Sequence, residues 1–348
     1  MSDADIPFQP GRTQSTKVLF AETGALGRIL LNRPKAINAL DTDMCHAVNV
    51  QMHDWADGGP RYVSIEGAGD RGLCAGGDVK GIRAALLADP DSTAGVDFFR
   101  TEYAMNAGIA HYPRPWIAIM DGVTMGGGLG ISAHGSLRVV TERSKLAMPE
   151  TLIGFFPDVG MLHVLNGLPG LYGTHLALTG TTIDGGAALA LGLADAAAPS
   201  GRVGSFLNKV SAGIDPQDLL AHRTFTLDSD ILDSADWIDE CYAGGSAEEV
   251  QGRLTQHADP RAREAGAAIA QRSPFAVAVT LAALRRAATM TIDEVLAQDL
   301  VLATNFLREP DFFEGVRCQL VDRGQQPRWR HRSLAEVPAP EVDAMFVG

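Results

Sequence analysis

Several kinds of residue are scarce in this chain, and each scarcity excludes a class of protein. Four of the 348 residues are cysteine (Cys45, Cys74, Cys241 and Cys318). They lie far apart with no CxxC pair, so neither a disulfide framework nor a thiolate zinc site is expected. The nine histidines stand singly and form no HExxH, so no metal is expected either. Aromatic residues make up 6% of the chain, which points to closely packed helices. Basic charge is outweighed, 29 Lys and Arg against 42 Asp and Glu, for a net charge of −13. No basic face is available to neutralise phosphates, which argues against a nucleic-acid partner. A small anionic ligand held by a local patch stays compatible with that charge. No apolar run approaches the roughly 18 residues that a membrane span requires. The opening MSDADIPFQPGRTQS carries neither an apolar signal core nor an Arg/Ser-rich presequence. The expectation is a soluble protein of the cytoplasm with no membrane partner.

What the chain does have is apolar residues (46%) and glycine (38 residues), enough for a large core and many tight backbone approaches. Residues 1–15 read as a flexible N-terminal arm. Val18–Phe20 and Gly27–Asn32 read as a β-hairpin. Asp41 is placed to cap a helix from Thr42 to Ala56. Tyr62–Glu66, Trp116–Met120, Leu137–Thr141 and Lys145–Met148 read as strands, with helices over 78–87 and 96–111. This alternation of strand, Gly-rich loop and helix is the mark of an α/β unit. Beyond Gly160 the text is mainly helical, over 168–179, 184–193, 202–213 and nearly all of 247–307. The acidic, Ser/Asp-rich stretch 214–246 reads as a loop between helical layers. The expected division is an α/β core over 16–200 and a helical C-terminal region over 201–348.

Two Gly-rich loops carry the chemistry: Leu73-Cys74-Ala75-Gly76-Gly77-Asp78 and Met125-Gly126-Gly127-Gly128-Leu129-Gly130. Each follows a strand and precedes a helix, where unpaired N–H groups and the helix dipole favour an anion. Two such loops converging on one carbonyl would form an oxyanion hole. Neither loop has the GxxxxGK[ST] of a P-loop or the spacing of a dinucleotide fingerprint. Taken alone, either loop is equally compatible with tight turns and close packing.

The text around the loops is more specific. Asn32-Arg33-Pro34-Lys35-Ala36-Ile37-Asn38-Ala39-Leu40, then CAGGDVK, GVTMGGGLG and MPE, closely resembles the crotonase (enoyl-CoA hydratase/isomerase) superfamily in order and spacing. The resemblance runs over about residues 17–200. It returns at Asp311-Phe312-Phe313-Glu314-Gly315-Val316-Arg317 and Gln326-Pro327-Arg328-Trp329. It implies a crotonase-like spiral of ββα/βαβ units with a helical C-terminal region. It further implies an oxyanion hole made by the N–H groups of Gly77 and Gly127, with Lys35, Ala36, Ala75 and Asp78 along a coenzyme A moiety. Coenzyme A would be part of the substrate, and no separate cofactor is implied. Many crotonases assemble as trimers or hexamers through their C-terminal helices. A homo-oligomer is therefore an open expectation, which the hydrolase subgroup need not follow.

Members of this superfamily differ in the acid and base groups around the shared hole. Enoyl-CoA hydratases use two glutamates. One is present as Glu150, and the position of the other, three residues after Gly127, is Gly130. The stretch Ala147-Met148-Pro149-Glu150-Thr151-Leu152-Ile153-Gly154-Phe155-Phe156-Pro157-Asp158-Val159-Gly160 is similar instead to the 3-hydroxyisobutyryl-CoA hydrolase subgroup, as is Phe98-Phe99-Arg100-Thr101-Glu102-Tyr103 with Asn106. That resemblance implies a catalytic pair at Glu150 and Asp158 and a substrate-contacting glutamate at Glu102. Glu150 would attack the polarised thioester carbonyl or deprotonate a water that does. A carboxylate neighbour raises one pKa and so provides acid and base together. The function implied is hydrolysis of a short 3-hydroxyacyl-CoA to the free acid and coenzyme A, as in valine breakdown. Enoyl-CoA hydration or isomerisation is the alternative, and a non-catalytic acyl-CoA binder is a second. Other nucleophiles find no support, since Gly130-Ile131-Ser132-Ala133-His134-Gly135 has the wrong spacing for a GxSxG elbow. Cys74 reads as a small buried thiol.

Overall fold

A computed structural model describes residues 7–221 and 225–348, so residues 1–6 of the expected arm and 222–224 of the expected acidic loop lie outside the described residues. The chain forms two compact units, each assembled from three separate segments. The first takes Met1–Gly77, Thr101–Leu146 and Ile183–Ser229, and the second Asp78–Arg100, Ala147–Thr182 and Asp230–Gly348.

The first unit holds almost all the β structure. The strands are β1 (Val18–Thr23), β2 (Leu26–Leu31), β3 (Tyr62–Gly67), β4 (Gly72–Cys74), β5 (Trp116–Met120), β6 (Val123–Met125), β7 (Leu137–Val140), β8 (Lys145–Ala147), β9 (Ile183–Asp184) and β10 (Ala196–Ala197). They form a six-stranded sheet in the order β1-β2-β3-β5-β7-β10 and a four-stranded sheet in the order β4-β6-β8-β9. Only β1 and β2 are antiparallel in the larger sheet, as the hairpin reading expected. From β3 to β8 successive strands alternate between the two sheets, so the backbone advances as a spiral. This is the spiral α/β arrangement that the resemblance implied. Strand β5 is buried along its whole length, which explains its unbroken apolar text. Leu26, Tyr62, Ile117, Ile119, Leu137 and Val139 meet Phe206, Leu207 and Val210 of the helix Val203–Ser211 in one core.

The helix Thr42–Ala56 starts where the sequence placed it, because the Asp41 side chain accepts the Met44 N–H at 3.0 Å. Part of the expected arm is tied down rather than loose. Gln9 bridges Phe20 through two backbone hydrogen bonds, of 3.0 and 2.8 Å.

The second unit is helical. Its helices include Val79–Ala88, Ala247–Gln256, Pro260–Ala270, Pro274–Ala287 and Ile292–Phe306. Ser246 and Thr291 open two of them with capping boxes, closed by Glu249 and Glu294. The stretch expected as a loop contains the helix Ala235–Tyr242, with Trp237, Ile238, Cys241 and Tyr242 buried. Those residues recur at helical spacing, and the acidic residues between them hide that pattern in composition. Among the described residues no single helix is long and apolar enough to cross a membrane.

Candidate functional site

In the first unit the two Gly-rich loops are neighbours because the strands that feed them are. Strands β4 and β6 run parallel, with Gly72 opposite Val123 and Cys74 opposite Thr124. At the loop tips Gly76 has φ +106°, and a Cβ there would stand 3.7 Å from the Gly127 nitrogen. Gly126 has φ +50° and ψ −122°, a conformation closed to larger residues, and it turns the chain into the short helix Gly127–Gly130. Gly127 opens that helix, so its N–H has no intrahelical acceptor. A Cβ on Gly127 would collide with Glu102 Oε1. The side chain of Glu102, 1% exposed, therefore lies against the Cα of Gly127. The unit thus brings Gly77, Gly127 and Glu102 into one neighbourhood.

The segment 33–40 braces the first loop. The Leu40 N–H donates to Gly76 O at 2.8 Å, and the Ala75 N–H donates to Ile37 O at 2.9 Å. Asn38 is fully buried at φ +54°. Its Oδ1 accepts the Arg33 N–H at 3.0 Å, and its Nδ2 donates to Ala68 O at 3.1 Å and Gly72 O at 3.2 Å. Asn38 was legible as part of a motif but not as a brace, since its partners lie 30 and 34 residues away. Lys35, Ala36 and Ala75 are exposed along the same pair of loops, a rim open to a ligand. Asp78 has a structural job in the second unit, where its Oδ1 accepts the Gly81 N–H at 3.1 Å and caps the helix Val79–Ala88.

Cys74 is fully buried, and burial pushes its thiol up to about 12. It is an unreactive packing residue. Burial also raises the Cys45 thiol, with Glu102 adding to the effect. All four cysteines are free and buried. Among the described residues no group of three His, Cys, Asp or Glu side chains is placed to hold a metal ion.

In the second unit Glu150 and Asp158 belong to one continuous stretch, and both are buried, at 7% and 5% exposure. Glu150 begins the 3₁₀ turn Glu150–Ile153, and its carbonyl accepts the Phe155 N–H at 3.0 Å. Phe155 and Phe156 then anchor the chain in an aromatic core. The Phe155 ring stacks on Phe99 at 5.3 Å and meets Phe306 at 5.3 Å and Phe312 at 5.8 Å. Beyond this anchor Asp158 sits on a tight turn. Its carbonyl accepts the Met161 N–H at 2.9 Å. Val159 has φ +54° and Gly160 φ +75°. For a β-branched residue such as Val159 the left-handed conformation costs about 1–2 kcal/mol, so the surroundings must hold it.

One of the groups holding it is a third carboxyl that reading the sequence missed. Asp299, fully buried on the helix Ile292–Phe306, accepts the Gly160 N–H through Oδ2 at 2.8 Å. Burial, with Asp158 nearby, pushes its carboxyl well above the usual carboxylate range. The available signal was an acid within an apolar stripe, since Val295, Leu296, Leu302, Ala303 and Phe306 fill the rest of that helix face.

The C-terminal motif proves to be a set of clamps. Asp311 accepts the Ser273 hydroxyl at 2.5 Å and the Arg330 N–H at 2.7 Å. Glu314 receives two bonds of 2.9 Å from Arg317 and one of 2.9 Å from the Arg328 N–H. The Arg317 guanidinium brings the Glu314 carboxyl down to about 2.

A family model described as enoyl-CoA hydratase/isomerase matches residues 26–346. A protein of Gallus gallus named 3-hydroxyisobutyryl-CoA hydrolase, mitochondrial, is 38% identical, over 94% of this chain and 88% of its own. The Homo sapiens protein of that name is 35% identical, over 95% and 88%. Among solved structures, one described as a carnitinyl-CoA dehydratase from Mycobacterium thermoresistibile superposes with a TM-score of 0.90 at 41% identity, covering 96% of this chain and 97% of its own. Another, described as an enoyl-CoA hydratase from Rhodobacter sphaeroides 2.4.1, gives 0.89 at 34% identity, covering 95% and 97%.

Proposed function

The chain belongs to the enoyl-CoA hydratase/isomerase family, and within that family we propose that it hydrolyses 3-hydroxyisobutyryl-CoA, or a similar short 3-hydroxyacyl-CoA, to the free acid and coenzyme A. One observation carries this reading. Two carboxylates, Glu150 and Asp158, are built into the interior of a single unit, while Gly130, where a hydratase has its second glutamate, is a buried glycine closing a short helix. Water addition to a double bond thus loses one of its two acid–base groups, and thioester hydrolysis keeps all of its own. The hydrolase names of the vertebrate relatives support the same reading.

In the proposed reaction the N–H groups of Gly77 and Gly127 stabilise the oxyanion that forms on the thioester carbonyl. Glu102 and Asp158 contact the substrate, with Asp158 on its hydroxyl or sharing the proton work. Glu150 acts in one of two ways. It takes a proton from water as the water adds to the carbonyl, or it adds to the carbonyl itself and gives an anhydride that water then opens. Either route consumes one water, breaks the C–S bond and releases a thiol and a carboxylic acid. Label on the enzyme after a single turnover in ¹⁸O-labelled water would identify the anhydride route with opening at the Glu150 carbonyl.

A cleft of about 1040 Å³ in the second unit is lined by Arg83, Arg317 and Arg328. Glu314 also lines it and is paired with Arg317, so Arg83 and Arg328 are the cations that suit a phosphate of coenzyme A, and Arg328→Ala is expected to raise KM with kcat little changed. The vertebrate relatives are named as mitochondrial proteins; for this chain we propose a cytoplasmic location, which fractionation of its own cells would test.

The test of function is release of free thiol, followed colorimetrically, from a panel of short acyl-CoA thioesters. Release is expected from 3-hydroxyisobutyryl-CoA. Absence of release from every short 3-hydroxyacyl-CoA, with folded protein, would overturn the reading. The names of the two solved structures favour a second reading, hydration or dehydration of an enoyl thioester. It would appear as loss of enoyl absorbance without thiol release.

A further inference from the structure

The turn that carries Asp158 is held from outside its own stretch of chain. The Gly160 N–H finds its acceptor on Asp299, 139 residues further along. Asp299 is 0% exposed on a helix face that is otherwise apolar. Its Oδ1 is buried and has no hydrogen-bond partner among the described residues. A bare charge at such a place, with one donor, is costly, and an apolar residue would fill it at no such cost. Its neighbour Val159 is meanwhile held at φ +54°, where a β-branched residue rarely sits.

We propose that Asp299 is a positioning residue for the hydrolysis, pinning the Asp158–Gly160 turn so that the Asp158 carboxylate is presented to the substrate. This rests on the proposed function and deepens it. The geometry alone calls for an acceptor oxygen at Gly160. Burial, with Asp158 nearby, raises that carboxyl well above the usual carboxylate range, which favours its protonated form. Among the described residues Asp158 is the one other carboxyl that adds to this rise, and the hydrogen bond from the Gly160 N–H opposes it. In its protonated form the carboxyl keeps its carbonyl-type oxygen free to accept the Gly160 N–H.

Two substitutions separate the roles. Asp299→Asn retains an acceptor oxygen and is expected to keep kcat within about threefold of wild type. Asp299→Leu removes it and is expected to lower kcat about 30-fold or more, with KM within about threefold, because the substrate still binds while a group acting on it is misplaced. Should the leucine variant fail to fold, Asp299→Ala, which leaves room for water, takes its place with the same expectation. Thermal unfolding supplies a readout that a merely space-filling role would not move. A carboxyl whose folded pKa is raised loses its contribution to stability as pH rises above the unfolded value, so Asp299→Asn should gain stability relative to wild type as pH rises above the ordinary carboxylate range. The inference is overturned if folded Asp299→Leu or Asp299→Ala keeps wild-type kcat. It is equally overturned if Asp299→Asn is as slow as they are, or gains nothing as pH rises. Asp158→Asn in the same assay keeps the two claims apart. If that variant is inactive while the Asp299 variants are normal, only the positioning role fails; if it is fully active, the functional role of Asp158 fails first.

Discussion

Replacing Gly127 by alanine tests the site at one atom. Gly127 is not among the glycines with positive φ, so alanine meets no backbone penalty and the effect is steric. The new Cβ would collide with Glu102 Oε1 and stand 3.3 Å from Leu40 Cδ1. Leucine can yield a few tenths of an ångström, but Glu102 is 1% exposed and has little room to retreat. Overpacking of this kind costs about 1–3 kcal/mol of stability. Displacing the N–H from the oxyanion costs about 10²–10³ in kcat, the usual loss for one donor. The assay is thiol release with purified variant, alongside thermal unfolding. A double-mutant cycle with Glu102→Ala isolates the cause. In that background Gly127→Ala should cost no more than about 0.5 kcal/mol, so the two changes should be coupled rather than additive. Additive stabilities would show that Glu102 does not lie against Gly127. Activity within about threefold of wild type would show that this N–H does not face a reacting oxygen.

Glu150→Gln and Asp158→Asn should each lower kcat by about 10²–10⁴, the range for a lost acid or base, with KM less affected; normal turnover in either removes that residue from the chemistry. Asn38→Ala leaves Gly72 O, Ala68 O and the Arg33 N–H without their partner. It should cost about 1–3 kcal/mol in thermal or denaturant unfolding, and a neutral effect would mean that the loop is held otherwise. Glu314 has its folded carboxyl lowered to about 2 by Arg317. Its contribution is therefore present above its unfolded pKa and is lost as pH falls from about 4.5 towards about 2. After allowance for solvent screening, Glu314→Gln should cost about 1 kcal/mol at neutral pH, and the gap to wild type should close in acid. A gap independent of pH would exclude the ion pair as its source.

The sequence by itself determined the local elements and the identity of the loops. Asp41 before an apolar-periodic run specified the start of the first long helix, and the unbroken apolar text of Trp116–Met120 specified a buried strand. Gly-rich text marked both loops because tight turns and close backbone approach admit few other residues. The stretch that carries Glu150 and Asp158 was legible as a motif, since Asp158 stands eight positions after Glu150 in one continuous run. The helix Ala235–Tyr242 was obscured by the acidic residues on its solvent side. What only the tertiary structure decided are contacts between distant residues: Glu102 against Gly127, Asn38 braced to Gly72, and Asp299 holding Gly160. Each depends on which strands pair and which helices meet. The composition of a segment says that an acid stands in an apolar stripe, and only the packing of the chain says which backbone N–H it meets there.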